Sequence, residues 1–258
     1  MNEDQWIYGK AKTRLSYEEY FKANILNVME YKWIRDFYNK SLNELRRLID
    51  SSSKDSKTYV RLNPIISKIS GSQIDTLFSL FDSIAKEANA RKFLVKNSLR
   101  REELDNFIYH VRNYLLPRAS QLRDYIFADD PRELEYFEIL KKHKLDNNLV
   151  LIETCRTKKG RKEISKKTSV PEKVLLDFAN RCSIGRAPFF GGKSVKHMWR
   201  AGYRNLKDVR NDSPENMTKR LIAAFESVGL TIPNDFKKGC KDGTMIQIWK
   251  EMPEIIVY

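Results

Sequence analysis

Residues 187–203 read Ala-Pro-Phe-Phe-Gly-Gly-Lys-Ser-Val-Lys-His-Met-Trp-Arg-Ala-Gly-Tyr. A turn carrying two glycines opens onto an apolar-periodic run with Val195, Met198 and Trp199 on one side, so Gly191 and Gly192 stand at the start of a helix. The first turn of a helix has amide N–H groups with no internal acceptor, and the helix dipole makes that end positive. Both features favour a phosphate oxygen, and a residue without a side chain leaves the approach open. Lys193, Ser194 and Lys196 would add two cations and a hydroxyl donor on the same turn, with Arg186 just upstream. Contacts of this kind fix a protein on a nucleic-acid backbone without reading bases. A second stretch repeats the logic: Gly160 stands at a helix start among Arg156, Lys158, Lys159, Arg161 and Lys162. Taken alone, that run reads equally well as a solvated loop or a localisation-like basic patch.

The charge balance supports a polyanionic partner. The chain of 258 residues carries a net charge of +14, and residues 156–210 alone hold 16 Lys and Arg against 4 Asp and Glu. Residues 1–130 are nearly balanced, with 22 basic and 18 acidic side chains. A one-sided field repels itself unless something neutralises it, so a polyanion such as nucleic acid is the expected partner. No run of 18 apolar residues would span a membrane, and the acidic opening Met-Asn-Glu-Asp lacks the basic and apolar segments of a signal peptide. A cytoplasmic location is expected, nucleoid-associated if DNA is bound. Cys155, Cys182 and Cys240 form no Cys-x-x-Cys pair, and His110, His143 and His197 have no ligand spacing, so no metal and no cofactor are expected.

The supporting elements read as all-α. Ser16 with Glu19 heads a long periodic run to Leu48, and Asn63-Pro64 opens a short helix. Ser72 with Asp75 caps the next, and a further helix from about 98 to 127 is kinked at Pro117. These form a helical bundle over 1–129, with Trp33, Phe37, Phe78, Phe81 and Phe107 in its core. Asp130-Pro131 with Glu133 marks a restart and the boundary of a second domain over 130–230. There Ser169 with Glu172 caps one helix, Ser213-Pro214 opens another, and Gly202 ends the helix after the double glycine in a left-handed turn. Residues 231–258 form a tail that could be extended.

The turn at Pro188, Phe190, Gly191, Lys193, Ser194 and Val195 resembles the helix-hairpin-helix motif of DNA repair and recombination proteins, with Phe189 where the family's first glycine stands. The span from Thr154 to Gly229 is similar to a family catalogued as domain of unknown function 4332. It carries Thr157-Lys-Lys-Gly-Arg-Lys-Glu-Ile164, Lys167 to Arg181, Ala201 to Asp208 and Ser213 to Met217. The resemblance implies a tandem helix-hairpin-helix-like domain and, by analogy, nucleic-acid binding. The expectation is therefore a non-enzymatic, sequence-nonspecific nucleic-acid-binding protein. The rival is a protein–protein adaptor using the bundle and hairpins. A glycosylase of this fold would need an acid near Asp212, which reads better as part of a helix start.

Overall fold

The computed structural model describes residues 6–8, 14–69, 74–188 and 190–258 (for Ile7, the backbone only). The chain divides into two compact units, Met1–Pro117 and Arg118–Tyr258. Both are built of helices, with one two-residue antiparallel pair, β1 (Ile7–Tyr8) with β2 (Leu15–Ser16), among the described residues. No described helix is long and apolar enough to cross a membrane.

In the first unit, Ser16 and Glu19 form the expected capping box and open α1 (Tyr17–Phe21), which passes through a π-helical turn into α2 (Asn27–Met29). The single long helix expected up to Leu48 is broken. Tyr31 and Asn39 leave the helical region on either side of α3 (Lys32–Tyr38), and Ser41 with Glu44 makes a fresh capping box for α4 (Leu42–Asp50). A second serine cap competes with helix continuation because it supplies donors and acceptors the helix interior cannot use. α5 (Lys57–Lys68) starts at its Ser56 cap, so Pro64 lies inside it rather than at its head. The expected Ser72 cap lies outside the described residues; α6 (Leu77–Ile84) is capped by Thr76. α7 (Glu87–Lys96) and α8 (Arg101–His110) follow, and α8 runs on through a π-helical turn to Leu115. It stops there instead of kinking through Pro117, since the residue before a proline is pushed out of the helical region and Leu116 is extended. Tyr17, Phe21, Trp33, Phe81 and Phe107 fill the core, while Phe37, expected inside, is 39% exposed.

His110 sits in this core, 1% exposed and stacked on Tyr114 at 4.6 Å, with an Nδ1 that meets no partner among the described residues. Burial, with the Arg61 cation nearby, pushes its imidazolium down to about 4. The folded value lies below the unfolded one of about 6.5, so the folded unit binds fewer protons. Stability is then complete above about pH 6.5 and falls as pH drops towards 4. We expect His110→Phe to remove this component. Urea midpoints across that range should fall less in the variant, and parallel profiles would refute the assignment.

The second unit opens with a 3-10 turn, Leu122–Tyr125. Asp130 caps α9 (Pro131–Lys142) by accepting from the amides of Arg132 and Glu133. Then come α10 (Asn148–Cys155), α11 (Lys158–Thr168), α12 (Glu172–Ile184), α13 (Gly192–Arg200), α14 (Leu206–Arg210), α15 (Pro214–Glu226), α16 (Asn234–Lys241) and α17 (Thr244–Glu251). α12 is the hub, packed by α10, α11 and α13. Ser169 does not cap it: this residue ends α11 in the left-handed conformation, φ +61°, and α12 begins after Pro171. Residues 231–258 are not one extended tail: α16 and α17 lie within them, and 253–258 follow without helix or strand.

Candidate nucleic-acid interface

α11 buries Arg161 and Thr168 and half-buries Gly160, Ile164 and Ser165, a stripe at helical spacing. The opposite side is cationic. Lys158, Lys159, Lys162, Lys166 and Lys167 are all exposed, with Glu163 the one acid among them, 3.9 Å from Lys159. Gly160 has a different task from the one expected. Its amide donates to the Thr157 hydroxyl at 3.1 Å, and a Cβ there would fall 1.9 Å from the Thr154 carbonyl oxygen. It is a packing glycine that lets α11 fold back on α10, and its amide is not available to phosphate.

Arg161, expected on the interface, faces inward. The residue is 4% exposed, and its guanidinium donates to the carbonyls of Cys155 at 3.1 Å and Val257 at 2.8 Å. Arg186, 5% exposed, likewise donates to Ser183 O and Oγ and to Pro253 O. Arg210 donates to Trp249 O and Met252 O, and Val257 N donates to the carbonyl of Arg156, itself half-buried. Three arginines thus strap residues 252–257 across the unit, and Ile255 and Ile256 are buried beneath. Buried guanidiniums satisfied by carbonyls hold structure and present no charge to a ligand.

At the second bend, Gly191 is the N-cap of α13, in extended backbone, with nothing within 4 Å of where a Cβ would lie. The amides of Gly192, Lys193 and Ser194 meet no acceptor among the described residues. Gly192 is nevertheless closed off: a Cβ would fall 2.5–2.7 Å from Asp124, whose segment packs over it. Lys193 is exposed and Ser194 half-buried. Burial lowers the Lys196 ammonium from its ordinary value; Asp124 opposes this, and Arg123, Arg200 and Arg181 add to it. Phe189 lies outside the described residues. Gly202 takes φ +90°, as the turn after α13 requires. Tyr203 folds back there to donate to Asp212 at 2.5 Å, and Asp212 also accepts from Arg220, Asn216 and the Ser213 amide.

The open cations are therefore Lys158, Lys159, Lys162, Lys166 and Lys167 on α11 and Lys193 on α13, with the half-buried Ser194 and Lys196 beside it and Gly191 capping that helix. Residues 135–232 match the family model of a domain of unknown function, DUF4332. No curated protein and no solved structure matches the chain. The DUF4332 segment reaches further upstream than the resemblance seen in the sequence, taking in most of α9 and all of α10, and it ends before α16. Both candidate bends fall inside it. Lys166 and Lys167 lie beyond the turn and outside the expected site; the spacing of four from Lys158 through Lys162 to Lys166 is the sequence signal that marks their face.

Proposed function

We propose that the second unit binds nucleic acid, DNA in preference to RNA, through backbone phosphates, without sequence selectivity and without catalysis. The reading places it in the cytoplasm, on the nucleoid. It rests on the lysine face of α11: five exposed ammonium groups on one side of one helix against a single acid. The uncapped start of α13, a helix-hairpin-helix-like turn with Lys193 beside it, adds a second point of contact.

Charge reversal tests it. With about four phosphates neutralised, retention on a filter should fall about a hundredfold between 50 and 200 mM salt, from a log–log slope of about −0.9 per contact. In the full chain, replacing Lys158, Lys159, Lys162 and Lys166 by Glu should abolish retention at both salts while the circular dichroism stays unchanged. Undiminished binding by that variant sinks the proposal. A protein adaptor is the rival, favoured by the exposed apolar side chains Val228 and Leu230 after α15 and Val95 in the first unit.

A further inference from the structure

An alternating ladder of guanidiniums and aromatic rings runs beside the C-terminal end of α13. The Arg200 guanidinium carbon lies 4.9 Å from the Phe127 ring centroid, and Arg181 lies 4.8 Å from that ring and 4.6 Å from Trp199. Arg204 follows, 4.8 Å from Trp199. The middle rung is fixed. Arg181 is buried and holds Glu133 through two hydrogen bonds, of 2.7 and 2.5 Å. The two end rungs are exposed. Arg200 has no polar partner among the described residues, whereas Arg204 donates to the Trp199 carbonyl at 2.5 Å.

A guanidinium held against a ring has lost its rotamer freedom already, and its outer π-face is left for another planar group. Arg200 and Arg204 each lie over one ring and are otherwise exposed. Three guanidiniums and the nearby Lys196 ammonium crowd one region, offset by Glu133, Asp177 and Asp124. A planar group attached to an anionic chain would suit both the open faces and the charge.

We infer that Arg200 and Arg204 form a stacking platform for unpaired bases, so that the polymer bound is single-stranded; this rests on the nucleic-acid reading above. Bases in a duplex offer their faces only to one another, whereas every base of a single strand has a free face. Lys193 and Lys196, on the same helix as Arg200, would hold the adjoining phosphates.

The test compares three probes by fluorescence anisotropy: an oligothymidylate of about 20 nucleotides, its abasic counterpart, and a duplex of equal length. The full chain should bind the oligothymidylate about tenfold more tightly than the other two. Arg200→Lys keeps the charge and removes the planar face, and since Arg200 makes no internal hydrogen bond the variant should fold normally. It should lose most of that preference, and adding Arg204→Lys should remove the rest, with abasic and duplex binding unchanged. Equal or tighter duplex binding overturns the inference and leaves backbone binding standing, as does an Arg200→Lys protein that keeps its preference. If none of the probes binds at low salt, the nucleic-acid reading fails and takes this inference with it.

Discussion

Replacing Glu133 by alanine is expected to lower the unfolding free energy of the second unit by about 3–5 kcal/mol. The Arg181 side chain is 4% exposed and Glu133 14%, with their closest atoms 2.5 Å apart. Glu133 also accepts from the Phe127 amide at 2.9 Å, and Arg181 donates to the Tyr125 carbonyl at 3.2 Å. Removing the carboxylate strands a buried cation whose Nε already has no partner among the described residues, and it orphans an amide as well. The cost comes from the unpaired charge more than from a lost attraction. The paired variant Glu133→Gln with Arg181→Met should therefore be more stable than Glu133→Ala alone. Urea denaturation gives the size of the loss, and amide exchange on α9 and α12 assigns it to this unit. A change under about 1 kcal/mol would show that solvent reaches the pair.

Gly160→Ala should cost about 3 kcal/mol, near the upper end for forcing atoms into a packed site. The contact it creates is with the Thr154 backbone oxygen, at 1.9 Å, and no rotamer change can relieve it. α10 and α11 would have to separate, and Arg161, which spans them to reach Val257, would lose its geometry. Gly191→Ala is the control. That site is open, at φ −151° and ψ 176°, where any residue fits, so the gain through the unfolded chain offsets the helix-cap preference for glycine and stability should change by less than about 1 kcal/mol. Thermal unfolding of the two variants side by side decides the matter. Similar melting temperatures for both would mean that the α10–α11 junction relaxes.

How much of this was legible beforehand differs by kind of information. Local signals were readable: the Ser16–Glu19 box, the Asp130 cap with Pro131, Ser213 with Pro214 and the left-handed Gly202 all carry their partners within four residues. Where a helix stops was harder, because Ser41, Ser56 and Leu116 end or restart helices through competition between neighbouring caps and a proline. Compaction was harder still. The restart falls at Asp130, whereas the second unit begins at Arg118, with Leu122, Tyr125 and Ile126 all buried in it. Apolar residues announce burial without saying in which core.

For the candidate site, charge was readable and its direction was not. Arg161 and Arg186 look in the sequence like Lys162 and Lys193, yet they point inward, and their acceptors are backbone carbonyls of Cys155, Ser183, Pro253 and Val257. A carbonyl has no residue identity, so nothing in a string of letters marks it as a partner. The ladder was hidden for a similar reason: Phe127 and Arg181 lie far apart in the chain, and only their packing around α13 aligns them.

The strap across residues 252–257 also sets an order of events. Arg161 and Arg186 reach acceptors 96 and 67 positions later in the chain. Until residues 253–257 leave the ribosome, Arg161 and Arg186 have local acceptors such as Cys155 and Ser183 but not these, and the buried places of Ile255 and Ile256 are unfilled. Closing the unit is a long-range event that waits for residues 253–257, and a nascent chain halted before Pro253 carries an unfinished interior.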